Sequence, residues 1–288
     1  MNVTTIYLSS VAFHERNIHD IIAAATAQAF NLEFSSGLDF DPSMEEAFLS
    51  SDLKRLPHNY FPAPSAPFVL NLASKNHDLR LKSIQMCKNG LRLAKAANSP
   101  FYAAHAGFCI DPDPNFLGKQ LLTVHEYDRA KHWQLFLSSI IEVLADAQTL
   151  NVPFLIENNV LAKFNTNEQL QNPLFCCEAT EIIELFTTIQ DPLFGLLLDT
   201  AHLKVSCETL SLNAENEMRD ILPYIKAMHH SDNDGLTDSN DPFTDDYWCR
   251  NLLSALPNMP HVVEVKNINL QMKKKQIALL EKFLTYEY

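Results

Sequence analysis

The 288-residue chain is 47% hydrophobic and 20% charged, the balance of an ordinary globular protein with enough apolar material for a sizeable core. A formal net charge of −13 repels polyanions, so nucleic acid is a disfavoured partner. With only six glycines and neither GxGxxG nor GxxxxGK(S/T), dinucleotide and P-loop phosphate cradles have no motif behind them.

Short runs rich in β-branched and aromatic residues punctuate the chain. TTIYLSS (4–10) and AFNLEFSS (29–36) are the first two expected strands, and a third lies within 55–74, interrupted by the prolines of FPAPSAP. SPFYAAHAG (99–107), VPFLIENN (152–159), FGLLLDT (194–200), YIKAMHHSD (224–232) and HVVEVKN (261–267) bring the expected strands to eight. Helical periodicity falls between them, over 17–28, 77–97, 127–150, 178–189 and 270–285. Strand and helix in alternation imply parallel pairing with crossover helices. Eight such units in under 300 residues predict an α/β fold, a (β/α)8 TIM barrel, ahead of an open doubly wound sheet. No linker, repeat or low-complexity tract divides the chain, so residues 1–288 are expected to form a single domain.

The N-terminal residues MNVTTIYLSSVAFHERN lack a basic stretch followed by an apolar core, and no apolar run reaches membrane-spanning length. The six cysteines contain no CxxC pair, which fits reduced thiols better than a disulfide framework or zinc knuckle. A cytoplasmic protein without membrane contact is expected.

A barrel of this kind builds its site at the C-terminal ends of the strands, and polar residues gather there. His58 belongs to the third strand region, His105 to the fourth, Glu157 to the fifth and Asp199 to the sixth, with His202 just beyond. His229 and His230 end the seventh strand and Glu264 lies in the eighth. Singly, a strand-end aspartate reads as a helix cap and an apolar-flanked histidine as a hydrogen-bonded core residue. Glu157, between LI and NN, and Glu264, between VV and V, face burial, which is costly for a carboxylate unless it is paired or bound to metal. Two glutamates, an aspartate and a histidine at equivalent positions of four successive strands point to a divalent cation. Oxygen ligands with one imidazole suit Mn²⁺, Mg²⁺ or Co²⁺, and further imidazoles shift the preference toward Zn²⁺. Alternation lets only one of His229 and His230 face inward.

The strings LIENN (155–159), LLLDTAH (196–202), HHSDNDG (229–235) and VVEV (262–265), in this order, resemble the xylose isomerase-like TIM-barrel superfamily. That superfamily holds ketose 3-epimerases, other sugar isomerases and the endonuclease IV enzymes, and the likeness runs over nearly the whole chain. HNYF…NLAS (58–74) is similar to the strand-three region of the endonuclease IV branch. The epimerase branch implies a mononuclear site of Glu157, Asp199, His229 and Glu264, with Mn²⁺ the expected ion. Its two glutamates act as ligands and as acid and base on opposite faces of a sugar, through a metal-stabilised enediolate, and His202 binds substrate. The implied function is a sugar or sugar-derivative isomerase or epimerase with a small-molecule substrate, and the superfamily often forms homo-oligomers.

The endonuclease IV branch implies a trinuclear zinc cluster and phosphodiester hydrolysis. His58, His105, Glu157, Asp199, His229 and Glu264 would supply two metals, and a third would need His202, Asp238 and a histidine where Asn240 stands. That departure and the net charge make hydrolysis the alternative, though His58 and His105 keep a second metal or a substrate contact open. A third alternative is a barrel that binds metal or sugar without turnover. Glu33 is a candidate for substrate hydroxyls or a turn cap, and His14 for overhanging the site from the first strand. Tyr247 and Trp248 are candidates for a lid or for packing, and the lysines at 273–275 read as a solvated helix face. No Ser/Cys/His pattern supports a covalent nucleophile.

Overall fold

The structure, a computed structural model, describes residues 5–116, 119–121, 127–166, 172–256 and 258–285. The first residue of the TTIYLSS run therefore lies outside the described residues. Eight parallel strands line up in the order β3-β2-β1-β8-β7-β6-β5-β4. They are β1 (Ile6–Ser9), β2 (Leu32–Phe34), β3 (Arg55–Pro57), β4 (Tyr102–His105), β5 (Phe154–Glu157), β6 (Phe194–Asp199), β7 (Ile225–His230) and β8 (His261–Val263). The two ends of this sheet meet through a single bridge between His58 and Ala103, where the Asn59 N–H donates to the Ala103 carbonyl over 2.8 Å. The result is a nearly closed (β/α)8 barrel.

The long helices fall where the periodicity put them: α1 (Ile18–Ala27), then, beyond the short α2 (Met44–Ser50), α3 (His77–Ala96), α4 (Arg129–Leu150) and α5 (Ala179–Thr188). After β6 come α6 (Thr200–Leu210) and α7 (Ala214–Ile221), then α8 (Arg250–Leu253) and the terminal α9 (Leu270–Thr285). Their N-termini are fixed by side chains that accept the first free N–H groups: Asn17 for α1, Asn76 for α3, Asp128 for α4 and Asp199 for α6. The main core is the apolar layer between strands and helices, and a smaller cluster fills the barrel interior. No helix among the described residues is long and apolar enough to cross a membrane.

Two expectations are refined. The third strand, expected somewhere within 55–74, occupies only the first three of those residues, because the prolines after it cannot donate to a ladder. His58 consequently sits one residue past β3, as Glu264 does past β8. The helices α2, α6, α7 and α8, of 7, 11, 8 and 4 residues, were absent from the periodicity reading. Short helices take their stability from tertiary contacts; the Ala179 N–H at the start of α5, for example, donates to Glu217 of α7 over 2.6 Å.

Candidate metal centre

Six strands deliver the cluster by the same two-residue step. Leu56, Ala103, Leu155, Leu197, Ala227 and Val262 pack together inside the barrel. Side chains alternate across a strand, so the residue two further along points to the same interior, one layer nearer the C-terminal mouth. Those residues are His58, His105, Glu157, Asp199, His229 and Glu264. Parallel register then sets His105 beside Glu157 and Asp199 beside His229. His230, one step out of phase, pairs instead with His261, Nε2 to Nδ1 over 2.9 Å.

Donor atoms of Glu157, Asp199, His229 and Glu264 all lie within 4.8 Å of one another. His229 Nδ1 is the hub, 2.7 Å from Glu264 Oε2, 3.2 Å from Glu157 Oε1 and 3.9 Å from Asp199 Oδ2. The other His229 nitrogen, Nε2, donates to Glu33 Oε2 over 2.9 Å, and both residues are fully buried. A carboxylate behind an imidazole fixes its tautomer and aim and raises the basicity of the outer nitrogen. Glu157 spans two donor sets, because its Oε2 lies 3.1 Å from His58 Nε2 and 3.0 Å from His105 Nε2. His202 Nδ1 pairs with the Asn158 carbonyl at 2.9 Å, which leaves Nε2 facing Asp238 Oδ2 at 3.3 Å and Asp199 Oδ2 at 3.9 Å.

Asp199 is both a helix cap and a member of the cluster. Its Oδ1 accepts the His202 N–H over 2.8 Å, opening α6, while Oδ2 faces the other donors. Asn158, pointing outward from the end of β5, accepts the Asp199 N–H over 2.7 Å and donates to the Asp199 carbonyl over 3.0 Å. Its amide prolongs the β5–β6 ladder by one side-chain rung and holds Asp199 in place. Asn159 donates to the carbonyls of Ala106, Gly107 and Phe175, which fixes the loops over β4 and β5. Neither asparagine was a sequence candidate, although the adjacent pair in LIENN was the available signal.

The remaining candidates are not in the cluster. His14 is exposed. Tyr247 is no lid: it is buried, stacked on Phe243 at 24°, with its hydroxyl 2.5 Å from Thr200 Oγ1. The side chain of Asn240 donates weakly to Ser231 Oγ over 3.4 Å.

The charge balance asks for a cation. The carboxylates of Glu33, Glu157, Asp199, Glu264 and Asp238 meet only imidazoles, and no lysine or arginine among the described residues is paired with them. Burial works to raise the Glu157 carboxyl, but His105, His58 and His229 outweigh it and hold it well below the usual carboxylate range. Asp199 goes the other way, pushed up to about 7 by burial, with Glu157, Asp238 and Glu264 adding to the effect against His202. Burial works to lower His229 and His202, but their carboxylate neighbours drive both well above the ordinary imidazole value.

Several of these close approaches are not hydrogen bonds. Glu157 Oε2, Asp199 Oδ2 and His229 Nδ1 are buried without a hydrogen-bond partner despite their short distances to one another's residues. A neutral His229 that donates through Nε2 to Glu33 turns the lone pair of Nδ1 toward the carboxylate oxygens, and converging oxygen and nitrogen lone pairs are what a divalent cation requires. The donor set therefore fits a metal, held by Glu157, Asp199, His229 and Glu264, and a second group of donors at His58, His105 and Glu157 lies alongside.

A (β/α)8 barrel with a buried carboxylate–imidazole cluster at its C-terminal mouth, able to hold a metal, is the class that fold and site define. The chain belongs to the xylose isomerase-like TIM barrel family, whose model matches residues 28–280. Among solved structures, a D-tagatose 3-epimerase-like protein superposes with a TM-score of 0.73 at 15% identity, over 98% of this chain and 97% of that one. D-psicose 3-epimerase from Clostridium cellulolyticum, solved with D-tagatose, gives 0.66 at 16% identity, over 98% and 99%. Endonuclease IV from Thermus thermophilus gives 0.58 at 14% identity, over 97% and 98%. No curated protein sequence is a significant match.

Proposed function

We propose that the protein is a divalent-metal-dependent isomerase or epimerase of a sugar or sugar derivative, working by proton abstraction next to a carbonyl. The observation that carries this reading is the pair of buried glutamates, Glu157 and Glu264, both within 3.2 Å of His229 Nδ1. Glu157 contacts His105, which lines a cavity whose described lining contains no lysine or arginine to receive a phosphodiester. Similarity in fold to sugar epimerases supports a small-molecule substrate.

A divalent cation in this cluster, Mn²⁺ by preference with Zn²⁺, Co²⁺ or Mg²⁺ as alternatives, supplies the Lewis acidity that polarises the substrate carbonyl. The chain does the rest. One glutamate takes the proton from the carbon next to the carbonyl, and the other returns a proton to the opposite face or to the neighbouring carbon. The Glu264 side chain is 11% exposed against 1% for Glu157, so Glu264 is the more accessible base. Glu33 keeps His229 aimed, and His202 and Asp238 bind substrate hydroxyls beside them. A cytoplasmic setting, no nucleic-acid partner and assembly into a homo-oligomer belong to the same proposal.

The test is deuterium exchange at the α carbon across a panel of ketoses, using metal-loaded protein. Glu157→Gln and Glu264→Gln should each lower exchange by about 10²–10⁴-fold while circular dichroism stays native. Retained turnover in both variants would end the proton-transfer account, and no exchange with any ketose would favour a barrel that binds without turnover.

One observation favours a second reading, metal-assisted phosphodiester hydrolysis. Glu157 Oε2, with His58 and His105 within 3.1 Å, offers donors for another ion. Metal content separates the two, one Mn²⁺-like ion per chain for the isomerase and two or three zincs for the hydrolase.

A further inference from the structure

The cavity over the cluster is two-faced. Of about 300 Å³, it has room for one small molecule, and His105, His202 and Asp238 line its polar side. The apolar part of the lining is Tyr60, Phe108, Leu121, Val160, Phe164 and Leu174, brought in by the loops after β3, β4 and β5. Phe108 and Leu174 are nearly buried, whereas Phe164 is 39% exposed and presents its ring at the mouth. Asn59 also lines the cavity.

An anionic substrate finds no strong fixed cation along this lining. No lysine or arginine is among the described lining residues, and Asp238 faces the space with its side chain 25% exposed. At the start of α6, the His202 N–H is already taken by Asp199 Oδ1, and that carboxylate disfavours a second anion there. An aromatic and aliphatic wall of this extent is wasted on a fully hydroxylated chain.

Building on the isomerase reading, we propose that the substrate is an uncharged hydroxy-carbonyl compound bearing an alkyl or aryl group. The carbonyl and hydroxyl end lies toward His105, His202, Asp238 and Asn59. The apolar group lies against Phe108, Phe164 and Leu174. Phe164 is a specificity residue, setting preference for that group without touching the reacting carbon.

The test measures binding and exchange separately on Mn²⁺-loaded protein with four small α-hydroxy ketones: hydroxyacetone, 2-hydroxyacetophenone, dihydroxyacetone and dihydroxyacetone phosphate. Calorimetry should give 2-hydroxyacetophenone at least tenfold tighter than hydroxyacetone, the range an apolar pocket delivers. The phosphate should bind no better than dihydroxyacetone. In Phe164→Ala the phenyl preference should fall severalfold, because the phenyl ketone loses far more affinity than hydroxyacetone does. Equal binding of the phenyl and methyl ketones, no binding of the phenyl ketone, tighter binding of the phosphate, or an unchanged preference in Phe164→Ala would each overturn the inference. Deuterium exchange reads the other question. A phenyl preference without exchange in any of the four sustains this inference and counts against the isomerase, whereas exchange in dihydroxyacetone without a phenyl preference does the reverse.

Discussion

His229 shows how one side chain can organise a site. Its Nδ1 meets Glu264, Glu157 and Asp199, and its Nε2 is tied to Glu33, a residue 196 positions earlier in the chain. Removing that tie should leave the ligands in place but let the ring turn. Glu33→Ala is therefore expected to weaken metal binding by about 10–100-fold, the usual cost of losing the group behind a metal-bound histidine. Glu33→Gln, whose amide oxygen can still accept from Nε2, should recover most of the affinity. Competition with a chromophoric chelator measures both, and equal losses in the two variants would mean that the charge of Glu33, and not an acceptor aimed at Nε2, sustains the site. Asp199 carries a different lesson. The same carboxylate caps α6 and joins the cluster, so a structural and a functional reading of a strand-end acid need not compete.

The strands made the site legible. Once Leu155, Leu197, Ala227 and Val262 are taken as inward, Glu157, Asp199, His229 and Glu264 must follow them two residues later, and these four donors do converge. His230 was separable from His229 on the same ground. What alternation cannot reveal is a contact across the barrel, such as Glu33 with His229, or a side chain standing in for backbone, such as Asn158. The barrel was legible through α1, α3, α4 and α5, each of ten residues or more, but not through the eleven-residue α6, whose first turn is taken up by the site sequence after Asp199. It was less so at β3, where proline cuts the ladder short, and at α7, whose eight residues need α5 to pack on. That weak side of the barrel, between β3 and β4, is where packing is tested most sharply. Tyr102 of β4 is fully buried, stacked on Phe154 at 9°, and its hydroxyl donates to the Asn59 carbonyl over 2.9 Å. Gly90 of α3 lies directly against that ring, and a Cβ there would fall 2.1 Å from a ring carbon. Gly90→Ala must displace a side chain that has no free volume, so it should cost about 1–3 kcal/mol of stability in urea unfolding despite the better helix propensity of alanine. A neutral or stabilising result would mean that α3 can slide away from β4.

Charge governs the behaviour of the whole barrel. Among the described residues, five carboxylates of the cluster and its surroundings have imidazoles but no lysine or arginine as partners, so under the proposed function the native state should bind a divalent cation that the unfolded chain does not. Mn²⁺ at one hundred times its Kd should add about 2.7 kcal/mol, seen as a rise of several degrees in Tm that EDTA reverses. An unchanged melting curve after exhaustive chelation would sink the metal centre itself. Acid acts through a separate pair, His230 and His261, which joins β7 to β8 behind the cluster. Burial holds both imidazoles neutral, with His261 lowered to about 4 although its contact with the Leu256 carbonyl opposes the shift. Between that value and the unfolded value near 6.5, the unfolded chain binds a proton that the native protein refuses. Stability from His261 is thus fully present above about pH 6.5 and is lost as the pH falls toward 4, at up to about 1.4 kcal/mol per pH unit. Urea unfolding of the metal-free protein at intervals across this window should show that decline. His261→Gln should be less stable at pH 7, because the hydrogen bonds to His230 and Leu256 are disturbed. It should nevertheless lose less on acidification, and parallel pH profiles for the two proteins would exclude His261 as a source of the acid sensitivity.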